Sequence, residues 1–153
     1  SDLDGAEIND WAHVVLNYPE HKVILHASML VAGGTARFTA HGDKGSVVKA
    51  RIDQQEAQLL AGVIPGSETW GEDGDSMVFF GADGAPQTIP TPKGDQRQYY
   101  VNVRDALLGK ITNPVHPVEA LAVMAVLEAA VKSSETGSTQ PLALTAEERA
   151  LLG

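Results

Sequence analysis

The sequence predicts an α+β fold: an open, mainly antiparallel β-sheet with helices packed on one face and the other face available for oligomerisation. Three observations carry this. Short apolar runs follow one another over residues 11–52 with connections of a few residues, too short for the crossovers that parallel strands need. Asp83-Gly84 stands between two further runs as a hairpin turn. Two long helical patterns, at 95–109 and 117–137, bring apolar faces that need a sheet to cover.

The elements follow in order. Residues 1–9 are acidic and read as a loose boundary segment. Trp11–Tyr18 is the first strand, Pro19–Lys22 a turn, and Val23–Val31 the second strand, punctuated by Gly33-Gly34. Thr35–His41 alternates cleanly, Gly42-Asp43-Lys44-Gly45 turns, and Ser46–Ile52 returns. These four strands are expected to form one meander. Asp53 with Glu56 resembles a capping box for a short helix closed by Gly62. A glycine-rich irregular loop spans 62–75. Met77–Phe80 and Pro86–Ile89 make the hairpin. Asp95 caps a helix with Tyr100, Val103 and Leu107 on one face, ended by Gly109. Pro117 opens the long helix, in which Leu121, Met124, Leu127 or Glu128, and Val131 share a side, and Gly137 closes it. Residues 140–144 are a candidate final strand, and Thr145 with Glu148 caps a tail helix over 145–153. The domain proper is thus expected to occupy 10–144.

Composition excludes several classes. Eleven basic against twenty acidic residues give a net charge of −9 and a pI near 4.8, so neither nucleic acid nor an anionic membrane is an expected partner. No apolar run approaches the roughly 20 residues of a membrane-spanning helix. With no cysteine there are no disulfides or thiolate metal sites, which fits a cytoplasmic protein. The first residue is serine, and the opening is not a signal peptide.

Alternation divides the third strand into Ala36, Phe38 and Ala40 against Thr35, Arg37, Thr39 and His41, and the fourth into Val48, Ala50 and Ile52 against Val47, Lys49 and Arg51. The apolar set is expected to meet the helices. The mixed set, with Arg37, Thr39, His41, Lys49 and Arg51, is the candidate surface for a second copy.

Candidate chemistry is sparse. His13, His26 and His41 lie on strands that a meander could bring together, but no H-x-H or H-x-x-x-H pair supports a metal centre, and no metal is expected. His21 and His116 read as loop residues. Glu68, Glu72, Asp73 and Asp75 crowd around Trp70: a sugar or metal site on one reading, a solvated loop on the preferred one. The spacing does not fit an EF-hand. One of Tyr99 and Tyr100 reads as core, the other as able to reach a site. Neither G-x-G-x-x-G, a P-loop, G-x-S-x-G nor H-E-x-x-H occurs.

The ordered set Val23–Val31, Arg37-Phe38, His41–Ser46, Val48-Lys49, Asp53–Glu56, Gly62, Trp70-Gly71, Gly94-Asp95, Tyr99-Tyr100, Asn102, Asp105-Ala106, Pro114-Val115, Glu119-Ala120 and Met124 resembles the second domain of the Gfo/Idh/MocA oxidoreductases. Within that family it is most similar to the sugar and polyol dehydrogenases related to scyllo-inositol dehydrogenases. The resemblance implies a parent enzyme with an N-terminal Rossmann domain binding NAD or NADP, a catalytic lysine in a Glu-Lys-Pro motif and a histidine in Asp-x-x-x-His. This chain has neither motif: Asp10 precedes His13 at the wrong spacing. The resemblance therefore implies most of a C-terminal domain, cut downstream of the catalytic residues. It implies hydride transfer from a carbinol carbon in the parent, no bound cofactor and no turnover in this chain, and a homodimer or larger oligomer through the bare sheet face. Trp70, Arg37 and Tyr99 are its substrate-side candidates. The alternative is a stand-alone ligand-binding or dimerisation module.

Overall fold

In the computed structural model, which describes residues 10–152, the chain has six strands and four helices. β1 is Trp11–Asn17, β2 Lys22–Ser28, β3 Phe38–Gly42, β4 Gly45–Lys49, β5 Met77–Gly81 and β6 Pro86–Ile89. α1 is Gln55–Leu60, α2 Arg97–Leu107, α3 Pro117–Thr136 and α4 Ala146–Leu152. The fold is α+β, with antiparallel, open sheets. The loose segment expected at 1–9 lies outside the described residues.

The strands do not form the single meander expected. β1 and β2 make a two-stranded ribbon, and β3-β4-β5-β6 make a separate four-stranded sheet. The break falls where Gly33 and Gly34 take left-handed φ values of 80° and 66°, a conformation that carries the chain out of extended pairing. The chain divides accordingly into two compact units: Val31–Val101, and the segments before and after it.

In the unit formed by the chain ends, β1 and β2 pair in register from Trp11 opposite Ser28 to Asn17 opposite Lys22. α3 is built as its sequence dictates. Pro117 sits in the first turn. His116 is not a bare loop residue but the N-cap: it accepts the Val118 N–H, and its own N–H donates to Glu119 Oε2 at 2.6 Å. Gly137 ends the helix with φ 61°. The covered stripe of α3 is the small-residue one, with Val118 and Ala125 buried, whereas Leu121, Met124, Leu127 and Val131 are exposed. Residues 140–144 form no strand. Thr145 and Glu148 do exchange their reciprocal cap bonds at the head of α4.

In the Val31–Val101 unit, the register sets Phe38 opposite Lys49, Ala40 opposite Val47 and Val47 opposite Phe79. Residues directly opposite point to the same side. One face therefore carries Phe38, Ala40, Val47, Lys49 and Phe79, and the other Thr39, His41, Ser46, Val48 and Phe80. The two-residue turn at Asp43-Lys44 decides this, and it corrects the expected pairing of the strands' apolar sets: both faces are mixed. α1 begins after Gln54 with no side-chain cap; Asp53 instead accepts the Gln55 N–H at 2.9 Å.

Candidate functional site

The richest polar construction lies in the Val31–Val101 unit, where the loop of residues 62–75 meets α1, the end of β4 and the start of α2. Three side chains hold it. Gln58, on α1, accepts the Gly71 N–H at 2.8 Å and donates to the Thr69 carbonyl at 3.0 Å. Gln55, only 2% exposed, accepts the Gln96 N–H at 2.7 Å and donates to Asp53 Oδ2 at 2.9 Å. Asp95 accepts from the Trp70 indole at 3.2 Å and from Arg97 Nε and Nη2, each at 2.8 Å. The Arg97 guanidinium holds the Asp95 carboxyl far below the ordinary carboxylate range, against the opposing pull of burial. Asp95 is thus a fixed anion, not a proton carrier at neutral pH.

The second construction is ionic. Lys49 is 8% exposed and its ammonium lies 2.7 Å from Asp75 and 2.9 Å from Asp73. Asp75 also accepts the Arg51 N–H at 2.7 Å. Burial alone would lower the Lys49 pKa, but the hydrogen bonds to Asp75 and Asp73 raise it above its ordinary value. The Lys49 contact lowers both carboxylates. Glu72 stands 4.0 Å from Lys93, whose ammonium donates to the Glu68 carbonyl. The acidic loop is therefore neither a metal cage nor simply solvated: half of it is internal framework. Among the described residues no group of three or more His, Asp or Glu side chains is gathered to hold a metal.

The sequence-derived candidates separate. Trp70 is 3% exposed, with its N–H committed to Asp95, so it supports the loop rather than offering a ring face. Tyr99 and Tyr100 are 52% and 72% exposed and meet edge to face at 5.4 Å; neither is core. Asp95 joins Trp70 to the first turn of α2, where it also receives the N–H of Arg97, two residues before Tyr99. The Arg37 guanidinium lies 5.4 Å from the centre of the Phe38 ring. Of the surface candidates, Thr39 and His41 share a face, and His41 bonds Ser46 at 2.8 Å. Lys49 points to the other face and is occupied. Sequence reasoning missed Gln55 and Gln58, whose polar type on a short helix gave no sign of burial.

A nicotinamide dinucleotide does not fit the residues present. Its pyrophosphate needs a strand, a glycine-rich turn and a helix N-terminus. Of the two strand-to-helix connections in this unit, β4 to α1 has no glycine. The glycine in β6 to α2, Gly94, is backed by Gln55 Nε2 and Asp53 Oδ2, which a Cβ there would meet at 2.8 and 3.0 Å. The protein's own side chains fill that space. No helix among the described residues is long and apolar enough to cross a membrane.

Comparison with known proteins supplies the context. A family described as "Oxidoreductase family, C-terminal alpha/beta domain" matches residues 2–144. The uncharacterized oxidoreductase YdgJ of Escherichia coli is 38% identical over 142 residues, covering 91% of this chain and 41% of YdgJ. The scyllo-inositol 2-dehydrogenase (NADP(+)) IolW of Bacillus subtilis is 31% identical over 141 residues, covering 89% of this chain and 39% of IolW. Among solved structures, a protein from Klebsiella pneumoniae assigned as an oxidoreductase superposes with TM-score 0.92 at 69% identity, covering 97% of this chain and 43% of that one. YPO2259 from Yersinia pestis, likewise assigned, gives 0.82 at 34% identity, covering 92% and 41%. The chain spans about two fifths of the length of these relatives.

Proposed function

The chain belongs to the Gfo/Idh/MocA oxidoreductase family, as its C-terminal alpha/beta domain, and on that footing we propose that it is the substrate-side and oligomerisation domain of a cytoplasmic NAD(P)-dependent dehydrogenase acting on a sugar or polyol. The observation that carries this reading is the match itself: residues 2–144 align with a C-terminal domain and with only 41% and 39% of YdgJ and IolW. The name of IolW supports a cyclic polyol as substrate class and NADP as one cofactor. In such an enzyme the nicotinamide takes the hydride, and the protein holds the carbinol carbon against it.

Within this chain the division of labour is one of shape. Asp95, Gln55 and Gln58 stiffen the 62–75 loop and the entry to α2, and so fix where Tyr99 stands. Tyr99 and Arg37 are the polar groups proposed to line the substrate side, with Trp70 as their support. Thr39 and His41 are proposed to face a second copy of the chain. Catalytic lysine and histidine, and the Rossmann partner, belong to the remainder of the parent enzyme on this reading.

The test is to assay NAD(P)H formation with inositols and hexoses in two forms: the parent protein, and this chain by itself. Turnover confined to the parent is expected. Turnover by the chain alone would overturn the reading, as would a parent that binds the polyol and no nicotinamide. Tyr99→Phe and Arg37→Ala in the parent are expected to raise KM more than they lower kcat.

A further inference from the structure

Two of the three strand histidines are brought together, in the unit that the reading above does not use for substrate. His13 on β1 and His26 on β2 are direct cross-strand partners, and their Nδ1 atoms lie 3.4 Å apart. One ring N–H can donate to the other nitrogen at this distance, and two nitrogens bound to one tetrahedral ion at about 2.0–2.1 Å each also lie about 3.3–3.4 Å apart, so an ion can replace the shared proton without moving the strands. The rings meet at 65° with centroids 5.6 Å apart. Trp11, two residues before His13 on the same face, stacks on the His13 ring at 13° and meets His26 edge-on at 78°. The indole centroid stands 6.1 Å from that of His13 and 6.0 Å from that of His26, so the three rings form one cluster. Ladder pairing of the strands fixes the two Cβ positions. Lys22, further along the same face opposite Asn17, is separated from His26 by Ile24.

We propose that His13 and His26 form a chelating site for one borderline divalent ion, Zn²⁺, Ni²⁺ or Cu²⁺, with water in the remaining positions. Neutral imidazole suits these ions, with Cu²⁺ held most tightly. Binding clasps β1 to β2. Because the ion competes with protons for imidazole, acid weakens uptake. The site is independent of the dehydrogenase reading and stands or falls without it.

Titration of the chain with Cu²⁺ alone, followed by calorimetry and electron paramagnetic resonance, tests it. Saturation at one ion per chain with two nitrogen ligands is expected. His13→Asn and His26→Asn should each weaken binding about a hundredfold, since either removes the intramolecular second arm, while His41→Asn should not. Substoichiometric Cu²⁺ should broaden the ring signals of His13 and His26 in the unmodified chain before those of His21, His41 and His116. Absence of saturable uptake, an affinity in either asparagine variant equal to that of the unmodified chain, or earlier broadening of another histidine overturns the proposal.

Discussion

Lys49 Nζ lies 2.7 Å from Asp75 Oδ2, joining the end of β4 to the segment that leads into β5. Asp73 closes the other side of the ammonium at 2.9 Å. One cation thus bridges two carboxylates and offsets part of their mutual repulsion. The carboxylates titrate below their ordinary value because Lys49 bonds them. Their contribution to stability is complete above the unfolded value of about 3.9 and is lost as pH falls through their lower folded values. Lys49 titrates above its reference value of 10.5, so its contribution is complete below that value and is lost as pH rises past it. Thermal unfolding should therefore show this part of the stability flat at neutral pH and falling in acid below about 4. In Lys49→Ala the thermal midpoint at neutral pH should drop by several degrees. Its acid dependence should reverse, because protonating Asp73 or Asp75 then relieves repulsion.

Trp70 is the large buried side chain of its unit, and its replacement tests whether the loop is framework. Trp70→Ala should cost about 3–5 kcal/mol in urea unfolding. Trp70→Phe keeps a ring and removes the N–H that Asp95 accepts, so it should cost less. It should also loosen the first turn of α2, read as faster amide exchange at Gln98 and Tyr99. A ring that served only to stack on substrate would show neither loss in the ligand-free protein.

Gly71 and Gly84 separate conformation from contact. Their φ values are 74° and 73°, nearly identical. A Cβ on Gly71 would stand 1.8 Å from the Gly94 carbonyl oxygen, whereas one on Gly84 would meet nothing within 4 Å. Gly84→Ala should therefore cost only the left-handed strain, about 1–2 kcal/mol. Gly71→Ala should cost clearly more, because the Gly94 N–H also donates to the Gly71 carbonyl at 3.0 Å and the two segments cannot separate freely. Equal urea midpoints for the two variants would refute the close approach.

What could be read from the sequence was local. Asp83-Gly84 turned, Gly109 and Gly137 ended helices, and Thr145 capped with Glu148 because each such signal acts within a few residues. The side of a strand that a residue takes is also local, but which side faces which is not. Lys49 and Phe38 share a face because of the turn length at Asp43-Lys44, and alternation within either strand alone is silent on it. β2 does not join β3 although β3 stands at an edge of its sheet, and the left-handed turn at Gly33 and Gly34 did not by itself foretell a break. Asp95 was legible as a helix-start residue, and Gln55 only as part of the Asp53–Glu56 string. Their wider role was not, since it needs Gln96 and Trp70 brought from 41 and 25 residues away.

The same register sharpens the proposed self-association surface. Thr39 and His41 lie on the face opposite Lys49, and both are exposed. Gln87, opposite Phe79, belongs to the Lys49 face. In a two-fold contact through the Thr39 face any added charge appears twice, against its own copy. Thr39→Asp should then weaken self-association about tenfold or more, moving mass from dimer to monomer in light scattering as the sample is diluted. Gln87→Asp, carrying the same charge on the other side of the same sheet, should leave the mass unchanged. Equal dissociation by both substitutions would mean that net charge rather than a face controls assembly. Dissociation by Gln87→Asp alone would move the interface to the Lys49 side.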